Sequence, residues 1–104
     1  MTEAVPKLAI FRRRRLQRLI ELNDRLLKIG RGRQNDIVLD DPEQVVSRFH
    51  AELRPHGGGY VLVDLNSQNG TWVNAERIDR IQMRSGVPVE VGSHELVIDE
   101  TRAS

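Results

Sequence analysis

Short runs rich in β-branched and aromatic residues, each closed by glycine, proline, asparagine or aspartate, recur almost from one end of this chain to the other. They fall at Lys7 to Phe11, Leu26 to Ile29, Ile37 to Leu39, Phe49 to Leu53, Tyr60 to Asp64, Trp72 to Val73, Val87 to Val91 and Glu95 to Ile98. The breaks stand at Gly30, Pro42, His56-Gly57-Gly58-Gly59, Asn69-Gly70 and Gly92. Strands at such regular spacing predict an all-β sandwich or barrel. The clearest hairpin pairs Phe49 to Leu53 with Tyr60 to Asp64 across the glycine triplet. At 104 residues the chain is long enough for one core and too short for two.

The segment from Phe11 to Leu27 fits this pattern poorly. Leu16, Leu19, Ile20, Leu26 and Leu27 partly follow three-and-four spacing, and arginine and leucine are good helix formers. Taken alone it reads as a helix. As a strand it would place Leu16, Ile20 and Leu22 on one face with Arg18 among them, against the period of two.

Composition excludes several classes of function. Without cysteine there are no disulfides, zinc thiolate sites or cysteine nucleophiles. No apolar stretch approaches the roughly 20 residues of a membrane helix, and Met1-Thr2-Glu3-Ala4 lacks the basic-then-apolar order of a secretory signal, so a cytoplasmic compartment is expected. The net charge of +1 hides an asymmetry, with Arg12 to Arg15 and Arg18 clustered early and Asp36, Asp40, Asp41 and Glu43 clustered later.

Four short motifs carry the chemistry: Gly30-Arg31; Ser47-Arg48-Phe49-His50; Asp64-Leu65-Asn66-Ser67-Gln68-Asn69-Gly70-Thr71; and Val73-Asn74. They put guanidinium, hydroxyl, amide and glycine groups into successive loops between the β runs. That set suits the grip of one tetrahedral dianion, which needs a planar cation and several donors that do not deprotonate. It points to binding and not to catalysis.

Those motifs, with Asp36-Ile37-Val38-Leu39 between the first two, resemble the forkhead-associated (FHA) domain over nearly the whole chain. The resemblance implies a two-sheet β-sandwich of about 10 to 11 short strands, spanning residues 7–99 between tails at 1–6 and 100–104, with its binding loops at one end. It places strands on Lys7 to Phe11, Arg15 to Leu22 and Leu26 to Ile29, which overrides the local helical signal. It also implies recognition of phosphothreonine in an extended peptide of a threonine-phosphorylated partner, in kinase-dependent signalling or assembly. On that reading Arg31, Ser47, Arg48, Ser67, Gln68 and Asn69 bind the phosphothreonine. Gly30, His50, Gly70, Thr71 and Asn74 shape the site. Gln68 stands where the family often has threonine, and Ala75 replaces the glycine that often follows the asparagine at 74. No cofactor or metal is expected.

Other readings compete at particular residues. The arginine run could face nucleic acid or an acidic partner, but it sits at a predicted turn that the resemblance places away from the binding loops. Phe11 alone offers a base somewhere to stack, so solvated charge is the expectation and nucleic acid is not an expected partner. His56 and His94 have no second ligand at metal spacing and read as surface residues. Trp72 reads as a packed sandwich residue. An enzyme is not expected, since Ser47 and His50, three apart in a hairpin, would point to opposite faces. A phosphate-independent interaction scaffold on the same fold is the alternative function.

Overall fold

The computed structural model describes residues 5–100 and contains eleven strands. In chain order they are β1 Lys7–Arg12, β2 Arg15–Glu21, β3 Leu27–Gly30, β4 Ile37–Val38, β5 Ala51–His56, β6 Gly59–Asp64, β7 Thr71–Val73, β8 Glu76–Ile78, β9 Arg80–Gln82, β10 Val89–Val91 and β11 His94–Asp99. A six-stranded sheet runs β2-β1-β11-β10-β7-β8 and a five-stranded sheet runs β4-β3-β5-β6-β9. The described residues include no helix long and apolar enough to cross a membrane. Residues 1–4 and 101–104, which fall in the expected tails, lie outside the described residues.

Alternation decides which side of each strand forms the core. Leu8 and Ile10 of β1, Ile29 of β3, Leu53 of β5, Leu62 of β6, Val89 and Val91 of β10, and Leu96 and Ile98 of β11 are buried between the sheets. Each contributes about 1.5–3 kcal/mol relative to an exposed side chain. Their partners at odd steps, such as Lys28, Glu52 and Glu95, face outward or are half-buried.

The Phe11 to Leu27 segment is two strands, as the family resemblance implies and local periodicity does not. The reason is a β-bulge in the β1–β2 ladder between Ile10 and Phe11. Leu16 pairs with Phe11 and Arg18 with Ile10, so Gln17 is the inserted residue. The extra residue moves Leu16 to the outer face beside Leu19, while Ile20 turns toward the core and Arg18, on the same face as Ile20, stays exposed. Leu16 and Leu19 are accordingly exposed. Arg12 pairs with Arg15, so Arg13 and Arg14 form a two-residue hairpin turn with φ of 52° and 64°. Such a turn normally uses Asn-Gly because both residues are left-handed.

Strand limits shift most where loops take over the hydrogen bonding. The expected strand at Phe49 starts at Ala51, because His50 donates its backbone N–H to Ile29 O in a loop contact (2.9 Å) and Phe49 is exposed. β5 and β6 then close through Gly57 and Gly58, at φ 57° and 84°. β10 starts at Val89, two residues after the expected Val87. β8 and β9 have no counterpart among the expected strands. Both are edge strands at sheet margins, rich in Arg, Glu and Gln, so neither has the apolar alternation that reveals a strand.

Candidate functional site

Three loops meet at one end of the sandwich: 31–36 between β3 and β4, 39–50 between β4 and β5, and 65–70 between β6 and β7. Their backbones lock directly together. Arg31 N–H donates to Ser47 O and Gly32 N–H to Arg48 O, both at 3.0 Å, while Leu65 N–H donates to His50 O at 2.9 Å. Such close approach requires Gly30, where an added Cβ would lie 2.3 Å from Arg48 O. The buried Asn35 side chain spans the same gap, donating at 2.7 Å to both Gly32 O and Arg48 O.

His50 is fully buried and joins the second loop to the third. Ser47 N–H donates to His50 Nδ1 at 3.0 Å, so that nitrogen is an acceptor and Nε2 carries the proton it gives to Gly70 O at 3.0 Å. Burial holds its pKa below the ordinary histidine value, against the opposing pull of Gly70 O and Asp64. The expectation that Ser47 and His50 point to opposite faces is corrected here, because both lie in a loop that folds the ring back onto the Ser47 amide. Both ring nitrogens are occupied, and neither takes the Ser47 hydroxyl proton.

Asp64 organises the third loop. Its Oδ1 accepts from Ser67 Oγ at 2.5 Å and Thr71 Oγ1 at 2.7 Å, and its Oδ2 accepts from Ser67 N–H at 3.0 Å. Burial alone would raise its pKa, but the hydrogen bonds from Ser67 and Thr71 outweigh that and hold it below the ordinary aspartate value. Ser67 therefore departs from its expected role. Its side chain is buried, its hydroxyl donates to Asp64 and accepts from Gly70 N–H at 3.1 Å, and no hydrogen remains for a phosphate. Gly70, at φ 88°, passes beneath Arg77 Nε, which an added Cβ would meet at 2.8 Å. Arg77 in turn donates to Ser67 O at 3.0 Å.

The outward-facing groups are Arg31, Ser47, Arg48, Gln68 and Asn69. Arg31 donates Nε–H to Val46 O at 3.1 Å, which aims the guanidinium while its two terminal amino groups make no hydrogen bond or ion pair with a described residue. Ser47 Oγ accepts Gln68 N–H at 3.0 Å and keeps its own hydrogen to donate. Arg48 and Gln68 side chains are exposed. Asn69 Nδ2 donates to Val45 O at 2.9 Å, leaving the amide oxygen free, and its carbonyl accepts Trp72 Nε1–H at 2.9 Å. Trp72, half-buried, thus braces the loop.

Asn74 sits apart from these groups. It makes the two-residue β7–β8 turn with Ala75, at φ 49° and 65°. Sequence reading missed Asn35 and Arg77, and it quoted Asp64 in the third motif without a role, although its Asp-x-x-Ser spacing favours a side-chain-closed turn. The reading of His94 as a surface residue is corrected, for it is buried at 3% exposure at the start of β11. No group of three metal-ligating side chains occurs among the described residues.

The family model for the FHA domain matches residues 27–92. The chain belongs to the FHA family. It is 46% identical over 68 residues to the glycogen accumulation regulator GarA of Mycolicibacterium smegmatis, a match covering 65% of this chain and 42% of the relative. Its fold superposes on Mycobacterium tuberculosis EmbR, solved with a low-affinity phosphopeptide, at a TM-score of 0.80 and 33% identity over 97% of this chain and 26% of that one. A further FHA domain, from a study of phosphothreonine-dependent FHA interactions, matches at a TM-score of 0.74 and 32% identity, over 88% of this chain and 94% of its own. This chain spans less than half the length of the curated relatives it matches first.

Proposed function

We propose that this FHA domain binds phosphothreonine in an extended segment of a threonine-phosphorylated protein, as a kinase-dependent signalling or assembly module. The observation that carries the reading is the Arg31 guanidinium, aimed by Val46 O with both terminal groups unpaired, beside a Ser47 hydroxyl that still has a hydrogen to give. Three phosphate oxygens need that kind of set: one fork-shaped cation and neutral donors fixed by the backbone. Arg48 and Gln68 stand at the rim for further contacts, and the free Asn69 amide oxygen suits a peptide N–H beside the phosphoresidue. Gly30, Asn35, His50, Asp64, Ser67, Gly70 and Thr71 hold the loops, a task that spends their polar groups internally. Relatives named as a regulator and as an oxoglutarate dehydrogenase inhibitor support a binding module over an enzyme. A cytoplasmic setting accords with a partner modified by a kinase.

The test is calorimetric titration with one library-selected peptide carrying phosphothreonine, phosphoserine or unmodified threonine. Phosphothreonine should bind most tightly and the unmodified peptide not measurably. Burying the extra methyl contributes about 0.8 kcal/mol, roughly fourfold, and the narrower χ1 freedom of a β-branched residue adds to it. Equal affinity for the two phosphoresidues would mean that only charge is read. The alternative, a phosphate-independent scaffold, draws on Leu16 and Leu19 exposed along β2. Binding of a partner that survives phosphatase treatment would favour it.

A further inference from the structure

The Arg12 to Arg15 run is not away from the binding loops, as the sequence reading expected, but at the same end of the sandwich. Arg12 pairs with His94 across the β1–β11 ladder, which sets the arginine turn beside Gly92 and Ser93. Gly92 packs on Val46, the residue before Ser47, closely enough that a Cβ there would lie 2.7 Å from Val46 Cγ2. Arg12 also reaches Glu43 of the 39–50 loop at 3.9 Å. Contacts through Gly92 and Val46 therefore connect the arginine turn to Ser47.

Resting on the phosphothreonine reading above, we propose that this turn is a second anion subsite, which takes a carboxylate or a second phosphate of the same partner. The bulge at Gln17 and the hairpin register put Arg12 and Arg15 side by side. A surface depression of about 410 Å³ is lined by Arg12, Arg13, Arg15 and Gln17, with no carboxylate in its wall. Arg12 Nε is buried without a hydrogen-bond partner, and Arg13 and Arg15 have no side-chain partner among the described residues. Carboxylates do stand nearby. Glu43 pairs with Arg12, Asp40 faces the cavity on the Arg18 side, and Glu90 and Glu95 face Arg13 and Arg14 on the other. They bound the subsite and favour a compact anion over a long polyanion such as nucleic acid. The two arginines held in left-handed conformation at the tip project both side chains at this end, where Asn-Gly would turn the chain with no charge.

The experiment is a phosphothreonine peptide array in which each position from six before to six after the phosphoresidue is fixed as alanine, glutamate or phosphothreonine. It is read with the wild-type domain and with Arg13→Asn/Arg14→Gly/Arg15→Gln, a variant that keeps Arg12 and supplies the preferred turn residues. Wild type should gain about fivefold or more from an anion at one side of the phosphothreonine, less at high salt, and the variant less than twofold, with alanine-flanked peptides bound equally by both. The same anion preference in the variant, or none in wild type, would overturn the subsite while leaving phosphothreonine binding standing. Absence of binding to every phosphothreonine peptide would overturn the parent reading and the subsite with it. Duplex DNA binding that the variant loses, without any flank preference, would instead assign the arginines to nucleic acid.

Discussion

Arg31 carries the charge of the proposed phosphate contact, and its one internal bond, to Val46 O, only aims it. Arg31→Ala should therefore weaken phosphopeptide binding by about 2–3 kcal/mol, some 30 to 150-fold, because a charge-assisted bidentate contact is lost in a partly desolvated site. The fold should persist, since a half-buried loop arginine anchors no core. Calorimetry paired with a melting curve checks both halves, and unchanged affinity in a folded variant would remove Arg31 from the site. Asp64 differs in kind. Three donors converge on its carboxylate, so Asp64→Ala should strand the Ser67 and Thr71 hydroxyls in a buried loop and cost about 2–4 kcal/mol of stability. A melting curve unchanged from wild type would show that the loop does not depend on it.

At the level of elements, the two-residue turns explain both the economy of this sandwich and its weak points. Gly57-Gly58 adopts the left-handed pair without steric cost, whereas Ala75 holds φ 65° with a Cβ in the β7–β8 turn. Ala75→Gly should stabilise the domain by about 1 kcal/mol, raising the midpoint of chemical unfolding with no change in phosphopeptide affinity. A lower midpoint would mean that glycine's extra freedom in the unfolded chain outweighs the relief. Edge strands were the elements least legible in advance. β8 and β9 are three residues each with a single isoleucine packed against the core, too little for a period to show, and β2 announces itself only once the bulge at Gln17 restores its two faces.

For the whole molecule, pH sensitivity follows from charges that the fold has buried. His50 and His94 both have pKa values lowered, chiefly by burial. In the unfolded chain these rings take up protons below about pH 6.5, while the folded state resists, so the unfolded state binds more protons and stability decreases as the pH is lowered. The loss begins below about 6.5 and continues until the lowered folded values are passed. Asp64, also lowered, contributes stability above about pH 3.9 that disappears as pH drops through its folded value. Melting temperature should thus be flat near neutrality, decline from pH 6.5 toward 5, and decline again in strong acid. Histidine ring titration by NMR should place both midpoints below 6.5; values at or above it would refute the histidine part.

Patterning alone determined the class of this protein: β runs cut by turn residues, with Gly30, Arg31, Ser47, His50 and Asn69 at positions that mark the three loops. These signals are local, because a strand's period and a turn's need for glycine depend on a residue and its immediate neighbours. Tertiary structure decided what each polar group does with its hydrogen bonds. Ser47 and Ser67 look equivalent in the chain, yet one keeps a hydrogen facing outward and the other spends it on Asp64. His94 is buried beneath strands that its neighbours in sequence do not reveal. The arginine turn joins the binding end only because the β1–β11 ladder brings Arg12 beside His94, 82 positions along the chain from it. Pairing between distant strands sets those contacts, and no local period encodes them.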